Sequence, residues 1–370
     1  MSNLTGKRWD IFCKIVDNFG DIGVCWRLSQ QLVLEHQLQV RLFIDDFTAA
    51  SKIIPQLNIS KQSQLVNDVE ICTWPAPEII PADVVIETFA CALPDAYMQQ
   101  MQASKSVWIN LEYLSAETWV GDFHAKPSPH ASLALTKYYY FPGFRDDTGG
   151  LIREANIADK TACHSDFHVN AKYEDALKIS LFCYSHAPIH HLLTALQVCN
   201  HEVLLLVPQS SILPEIARFF GKASLETGET LIRGNLNLQL LPFLSQADYD
   251  KLLRACDLNF VRGEDSWVRA IWAGKPFIWQ PYLQSENTHL KKLNAFLAFF
   301  YQNFEQKQML WEAHQYWSTE DRPAKQVEND TWQRYLGLLP AIKTYTQAQS
   351  RQLAAQPDLA AKLVIFCNKL

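Results

Sequence analysis

Residues 9–44 read WDIFCKIVDNFGDIGVCWRLSQQLVLEHQLQVRLFI, and they set a pattern that the rest of the chain repeats. Short β-rich runs at 9–16 and 39–44 flank a helical pattern at 22–35, so we predict a strand, a helix and a second strand. Strand, helix and strand in this order form a βαβ unit, in which the two strands are parallel. The opening stretch therefore predicts an α/β fold.

The same alternation continues on both sides of a central break. Residues from about 145 to 175 lose the periodicity and collect glycines, charges and small side chains, which is typical of a linker between domains. We therefore predict one Rossmann-like domain over 1–155, completed by a helix at 357–370, and a second over 170–355. The strands predicted besides the first two are 69–73, 83–87, 106–110, 138–141, 177–184, 202–207, 238–241, 257–261 and 276–280. The other predicted helices begin at Ile189, span 246–255 and 266–273, and fill most of the chain after Glu286.

Length and composition bound the class of protein. A chain of 370 residues fits two domains, and 48% hydrophobic with 19% charged residues indicates a globular protein. A net charge of −6 gives no general attraction to nucleic acid or anionic membranes, and we expect neither as a partner. We see neither a signal peptide nor an apolar run long enough to span a membrane, so we expect a cytoplasmic protein. The nine scattered cysteines lack any C-x-x-C spacing and are expected to be buried, reduced thiols.

The loop at 17–23, DNFGDIG, is the first candidate site. It joins the first strand to the first helix, and ligands of open α/β sheets bind where strands end. A dinucleotide-binding turn would have glycine where this chain has Asn18, and Asp21 would repel a pyrophosphate approaching the helix start. These two differences disfavour NAD. We refer to residues 17–23 as the acidic loop.

Two interpretations of the acidic loop remain. Asp21 by itself is compatible with a simple helix cap, in which its carboxylate accepts a hydrogen bond from the first helical turn. Asp17 and Asp21 together favour a cation-binding loop, because two close carboxylates raise one another's pKa unless a positive group lies between them.

The second candidate site lies in the segment 256–277, CDLNFVRGEDSWVRAIWAGKPF. A predicted strand runs into Arg262 and Gly263, and Asp265 and Ser266 open a helix whose positive end attracts anions. This pattern favours a diphosphate site, with an ordinary capped turn as the alternative. The following helix and Gly-Lys-Pro resemble the nucleotide-sugar domains of GT-B glycosyltransferases. We refer to residues 262–266 as the arginine loop.

Aromatic and amide side chains at other predicted strand ends could bind a nucleotide base. Phe182, Tyr184 and Phe243 offer ring faces and Gln246 offers an amide, although each is also compatible with a core position. The acid pairs at 45–46 and 146–147 are not the D-x-D arrangement of metal-dependent glycosyltransferases, and we interpret them as solvated turns. With no His/Cys cluster at ligand spacing, we expect no metal and no cofactor.

Three motifs resemble those of the elongation factor P arginine rhamnosyltransferase (EarP) family, and the likeness runs from residue 9 to at least residue 300. They are IFCKIVDNFGDIGV at 11–24, INLEYLSAE at 109–117 and FVRGEDS at 260–266. The resemblance implies a GT-B fold with two Rossmann-like domains facing a central cleft. It also implies inverting transfer of rhamnose from dTDP-β-L-rhamnose to an arginine of elongation factor P, which relieves ribosomes stalled at polyproline.

The resemblance also implies roles for individual residues. In the acidic loop, Asp17 and Asp21 are expected to engage the acceptor arginine, with Asp21 the better candidate for the general base. The predicted substrate-binding residues are Asn18, Phe19, Gly20, Phe182, Tyr184, Phe243, Gln246, Tyr249, Arg262, Asp265 and Ser266. Tyr249 stands where the family can have phenylalanine near the base. Glu264 is expected to position the sugar or to support catalysis.

The residues themselves leave three other classes open. These are a nucleotide-sugar epimerase or other GT-B enzyme, an NAD-dependent dehydrogenase, and a non-catalytic module that binds elongation factor P.

Overall fold

The computed structural model describes residues 7–16, 19–74, 79–158, 167–320 and 330–370. The chain divides into two compact units, Met1–Ala158 with Ala354–Leu370, and Asp159–Leu353. Each unit is built on one largely parallel sheet with helices, which confirms the predicted α/β class. In the described part of the chain, the eight cysteines are all buried thiols, as expected; Cys163 lies outside it.

The N-terminal sheet has eight strands in the order β3-β4-β2-β1-β5-β6-β8-β7. The strands are β1 (Arg8–Cys13), β2 (Gln39–Ile44), β3 (Ser63–Val66), β4 (Val69–Thr73), β5 (Val84–Thr88), β6 (Val107–Leu111), β7 (Lys126–Pro129) and β8 (Thr136–Tyr140). The edge strands β3 and β7 pair antiparallel with their neighbours, and the other pairs are parallel. Central strands are apolar throughout because both faces of a parallel sheet are covered; all five residues of β5 are buried.

In the part of this unit that the structure describes, four α-helices connect the strands, and a fifth comes from the end of the chain. They are α1 (Gly20–His36), α2 (Phe47–Ile53), α3 (Asp95–Ser104) and α4 (Val120–Phe123). The predicted βαβ opening is therefore correct, with β1 and β2 parallel on either side of α1 in sequence.

The second unit has a six-stranded sheet in the order β11-β12-β10-β9-β13-β14. Its strands are β9 (Leu177–Leu181), β10 (Val203–Pro208), β11 (Thr230–Arg233), β12 (Leu236–Leu241), β13 (Leu258–Arg262) and β14 (Phe277–Gln280). Its helices are α5 (Ile189–Gln197), α6 (Leu213–Phe219), α7 (Gln246–Ala255), α8 (Asp265–Ala273), α9 (Thr288–Phe300), α10 (Lys307–Ser318), α11 (Asp330–Gly337) and α12 (Leu339–Ala354).

The last helix, α13 (Leu359–Cys367), belongs to the N-terminal unit. The Asp358 carboxylate caps it by accepting a hydrogen bond from the Ala361 N–H at 3.0 Å. The Leu359 N–H donates to the Leu151 carbonyl at 2.9 Å, and Arg153 donates to the Gln356 carbonyl at 3.1 Å. These bonds fasten the end of the chain to the segment that leaves the first sheet.

Candidate functional site

Asp21 lies in the first turn of α1, beyond the segment that connects β1 to this helix, and it is only 2% exposed. Its Oδ2 accepts a hydrogen bond from the Val16 N–H at 2.8 Å. The N-cap position belongs to Phe19, whose ring is not a hydrogen-bond acceptor. The interpretation of Asp21 as a mere helix cap is therefore wrong, since its carboxylate binds the chain that enters the acidic loop.

The rest of the acidic loop is described only in part. Gly20 begins α1, and the Gly23 N–H donates to the Phe19 carbonyl at 2.9 Å in the first helical bond. Asp17 and Asn18 lie outside the described residues, so their roles stay predictions.

The acid pair at 45–46, which follows β2, is exposed, as predicted. Both carboxylates also accept hydrogen bonds from the backbone. The Asp45 Oδ1 accepts a hydrogen bond from the Ile15 N–H at 3.0 Å and so fixes the segment that leads into the acidic loop. The Asp46 carboxylate caps α2 through the Ala49 N–H at 3.0 Å. This pair is therefore part of the scaffold around the acidic loop.

One aromatic residue contacts Asp21, and a second aromatic ring stacks on the first. The Tyr113 hydroxyl donates to the Asp21 Oδ1 at 3.4 Å, and the Tyr113 ring stacks on Phe89 with centroids 4.2 Å apart and planes 9° apart. Phe89 follows β5 and Tyr113 follows β6, and the Phe89 N–H donates to the Leu111 carbonyl at 2.7 Å. The carboxyl ends of three neighbouring strands, β1, β5 and β6, thus bring one carboxylate and two rings together.

In the second unit, Arg262 ends β13 among aromatic side chains. Its guanidinium carbon lies 4.2 Å from the Phe182 ring centroid and 4.8 Å from that of Tyr184. One guanidinium nitrogen also donates to the Cys183 carbonyl at 3.1 Å. The predicted base-binding and anion-binding residues therefore meet at one sheet edge, with a positive charge fixed over two π faces.

The remainder of the arginine loop turns tightly into α8. Gly263 has a φ of 64°, a left-handed conformation that favours glycine, and Glu264 occupies the N-cap position. The Ser266 hydroxyl accepts from the Arg262 N–H at 3.0 Å and donates to the Arg262 carbonyl. Asp265 accepts from the Gln246 amide at 3.2 Å. The loop therefore places the positive end of the α8 dipole beside Arg262.

A buried ion pair fixes α7 against α8. Arg269 donates two hydrogen bonds to the Asp250 carboxylate, at 2.9 and 2.6 Å, and both residues are buried. The preceding residue on α7, Tyr249, meets the Phe182 ring edge to face with centroids 5.6 Å apart, and burial raises the pKa of the Tyr249 hydroxyl. Phe243 lies in the connection from β12 to α7. The predicted nucleotide residues on α7 thus depend on this pair for their position.

Gln280, at the end of β14, contacts the same edge but was missed by the sequence analysis. Its Oε1 accepts from the Tyr184 N–H at 2.7 Å, which fixes the orientation of the amide. The Gln280 NH₂ group then lies 2.9 Å from the His186 Nε2 and donates a hydrogen bond to it. Because Nε2 accepts this bond, the imidazole is neutral and carries its hydrogen on Nδ1. The His186 ring stacks on Tyr184 with centroids 5.9 Å apart. Gln280 thereby positions Tyr184, whose ring lies next to Arg262, and the His186 ring that stacks on Tyr184.

A metal-binding cluster and a membrane-spanning helix are both absent from the described residues. Within them, no group of three or more His, Cys, Asp and Glu side chains is arranged to hold a metal ion. None of the described helices has the length and apolar character needed to cross a bilayer.

Comparison with known families identifies the chain. The model of the elongation factor P (EF-P) rhamnosyltransferase family, EarP, matches residues 9–368. The chain belongs to the EarP family. It is therefore an enzyme of a glycosyltransferase family, and the resemblance drawn from the three sequence motifs is confirmed.

Individual EarP relatives match over nearly the whole chain. The protein-arginine rhamnosyltransferase of Pseudomonas aeruginosa is 42% identical over 378 residues, which cover 97% of this chain and 98% of the relative. A solved structure that describes EarP-mediated arginine glycosylation of translation elongation factor EF-P is 30% identical, with a TM-score of 0.67. The match covers 98% of this chain and 99% of that one.

More distant structures share the fold. The calicheamicin glycosyltransferase CalG4 superimposes with a TM-score of 0.53 at 9% identity, over 98% of this chain and 99% of CalG4. At that identity the likeness shows the fold and nothing further. Together with the EarP structure it confirms the predicted GT-B type.

Proposed function

We propose that this EarP-family enzyme transfers rhamnose, with inversion, from dTDP-β-L-rhamnose to an arginine side chain of elongation factor P. The observation that carries the proposal is the opposite charge at two strand ends. Asp21 presents a carboxylate after β1, and Arg262 presents a cation after β13. A reaction between a cationic acceptor and a nucleoside diphosphate sugar requires both charges. That the P. aeruginosa relative is a protein-arginine rhamnosyltransferase supports this acceptor.

The N-terminal unit would bind the acceptor. An arginine side chain is a poor nucleophile because its guanidinium stays protonated, with a pKa above about 12. Asp21, with Asp17, would bind the guanidinium fork through charge-assisted hydrogen bonds. As a guanidinium nitrogen attacks the anomeric carbon, Asp21 would accept the proton that this nitrogen loses. Asn18, Phe19 and Gly20 would line the same loop.

The second unit would bind the donor. When the bond between the anomeric carbon and the diphosphate oxygen breaks, its electron pair leaves with dTDP, and the new negative charge needs stabilisation. Arg262 and the start of α8 at Asp265 and Ser266 would provide it without a metal or cofactor. Glu264, a carboxylate beside the phosphates, would bind sugar hydroxyls.

The nucleotide base would lie among the aromatic residues of this unit. Phe182, Tyr184 and Phe243 would contact the nucleotide through their rings, Gln246 would bind the base edge, and Tyr249 would support Phe182 from behind. The product, rhamnosylated elongation factor P, would relieve ribosomes stalled at polyproline. We place the reaction in the cytoplasm, with no nucleic acid and no membrane as partner.

Intact-mass measurement of elongation factor P tests the proposal. After incubation with this protein and dTDP-β-L-rhamnose, the mass should rise by one rhamnosyl group. Elongation factor P in which lysine replaces the acceptor arginine is the control and should keep its mass. Consumption of the donor without any change in mass would favour an epimerase or hydrolase, and binding without donor consumption would favour a non-catalytic module.

A further inference from the structure

We propose that Phe89 and Tyr113 form an aromatic platform that receives the acceptor guanidinium beside Asp21 and selects arginine over lysine. The inference rests on the proposed function, because it names the part of the N-terminal unit that recognises the acceptor side chain. The platform is defined by these two stacked rings.

The geometry brings a π face and a carboxylate within reach of one planar cation. The two rings are nearly parallel, with centroids 4.2 Å apart, and both residues are partly exposed. The Tyr113 hydroxyl reaches the Asp21 Oδ1 at 3.4 Å, so the edge of the platform lies at the carboxylate. A guanidinium stacked on the platform can therefore direct its N–H groups towards Asp21.

The backbone around Phe89 adopts an uncommon conformation. Phe89, Ala90 and Ala92 have φ values of 54°, 52° and 59°, in the left-handed region that residues with a Cβ seldom occupy. Such backbone persists where the surroundings fix it, and it concentrates at functional sites. Here it turns Phe89 from the end of β5 onto the ring of Tyr113.

A buried carboxylate fixes this turn. Glu87, 3% exposed, accepts hydrogen bonds from the Ala92 N–H, the Trp108 Nε1 and the Lys137 Nζ, each at 3.1 Å. These donors come from the turn, from β6 and from β8, so Glu87 ties the turn to two neighbouring strands. The platform is thus preorganised before any acceptor binds.

The chemistry of such a site distinguishes arginine from lysine. A guanidinium is planar, stacks on aromatic faces and offers a fork of N–H donors that matches a carboxylate. An ammonium is a compact, strongly hydrated charge that cannot fill a flat site and a fork together. The platform thus accounts for selection of the acceptor residue, while Asp21 accounts for its reaction.

A double-mutant cycle tests the platform. Phe89→Leu keeps an apolar side chain but removes the ring, so the dissociation constant for elongation factor P should rise about tenfold. With elongation factor P in which alanine replaces the acceptor arginine, the same substitution should change the dissociation constant less than twofold, because the stacked partner is gone. Phe123→Leu, which removes an exposed ring of α4, is the matched control and should leave both constants unchanged.

Two further variants keep the test decisive. Phe89→Tyr retains the ring face and should bind elongation factor P with wild-type affinity. Tyr113→Leu removes the partner ring and serves as a second test if Phe89→Leu does not fold. An equal loss of affinity for both forms of elongation factor P in either arm would overturn the platform. If the wild-type enzyme neither binds nor modifies elongation factor P, the proposed function itself fails, which is a separate result.

Discussion

The acidic loop and the arginine loop occupy equivalent places in two similar units, yet the central charged side chain is an aspartate in one and an arginine in the other. Each joins the carboxyl end of a parallel strand to the first turn of a helix. The first places the buried carboxylate of Asp21 there, and the second places Arg262 over two aromatic rings. The fold therefore provides the same position twice, and under the proposed function the side chains at this position decide between a cationic and an anionic ligand.

The two loops also differ in how they are fastened. Asp21 accepts hydrogen bonds from the backbone N–H of Val16, just before its loop, and from the Tyr113 hydroxyl. The arginine loop depends on long-range support, including the buried pair of Asp250 and Arg269 and the stack of Trp267 on Trp279, with centroids 3.6 Å apart. Substitutions in the support of the second loop should therefore affect stability as well as binding.

The largest effect is expected for Asp250→Ala. This change leaves the Arg269 guanidinium buried without its carboxylate, which should lower the free energy of unfolding by about 3–5 kcal/mol. Glu215→Ala is the matched control, because Glu215 pairs with Arg218 on the surface of the same unit and should contribute no more than about 1 kcal/mol. Chemical denaturation of both variants checks the difference, and equal losses would contradict the supporting role of the buried pair.

Asp21→Asn should have the next largest effect, on turnover. The amide oxygen can still accept the Val16 N–H, but the negative charge and the proton acceptor are gone. We expect the rate of arginine modification to fall about 100-fold or more, with little change in melting temperature. Steady-state kinetics with elongation factor P measures this effect. An unchanged kcat would show that the acidic loop has only a structural role.

Gln280→Leu should have a moderate effect confined to the donor. The substitution removes the acceptor of the Tyr184 N–H and the donor to His186, so we expect the KM for dTDP-rhamnose to rise about threefold to tenfold. Gln308→Leu, an exposed change on α10, is the control and should leave the KM unchanged. A change in the KM for elongation factor P instead would place Gln280 with the wrong substrate.

The smallest effect is expected for removal of metals. If Arg262 and the α8 dipole stabilise the leaving diphosphate, excess EDTA should leave the rate of transfer unchanged. A rate that EDTA abolishes and magnesium or manganese restores would contradict metal independence.

Local patterns predicted the central elements of the fold. The predicted strands 39–44 and 69–73 and the helix 246–255 coincide with β2, β4 and α7. The edge strands β3, β7 and β11 were missed because each is four residues long and has at most two apolar residues in succession, while β7 contains two prolines. Their pairing is antiparallel and depends on the neighbouring strand.

The errors at two strand ends are informative about the candidate site. The strands predicted at 9–16 and 177–184 end at Cys13 and Leu181, although apolar residues continue beyond both points. Val16 is 65% exposed, and Phe182 and Tyr184 turn towards Arg262. At both points the apolar residues beyond the end of the sheet belong to loops. A hydrophobic run therefore overestimates the length of a strand where the candidate site begins.

Contacts between distant residues could not be predicted from one sequence. The pair of Asp250 and Arg269 and the bonds of Gln280 join residues on different elements, and neither has a local signal. The motifs indicated Asp21, Arg262 and their neighbours as candidate site residues, whereas the side chains that position them are visible only in the structure.

The central claim is that the acidic loop binds the acceptor and the arginine loop binds the donor. The most direct test is calorimetric titration of dTDP into the wild-type enzyme, Asp21→Asn and Arg262→Gln. We predict that Asp21→Asn binds dTDP as tightly as the wild type. Arg262→Gln should bind it about tenfold to a hundredfold more weakly, because it loses a charge-assisted contact with the diphosphate. Loss of dTDP affinity in Asp21→Asn, with wild-type affinity in Arg262→Gln, would contradict the assignment of the donor to the arginine loop.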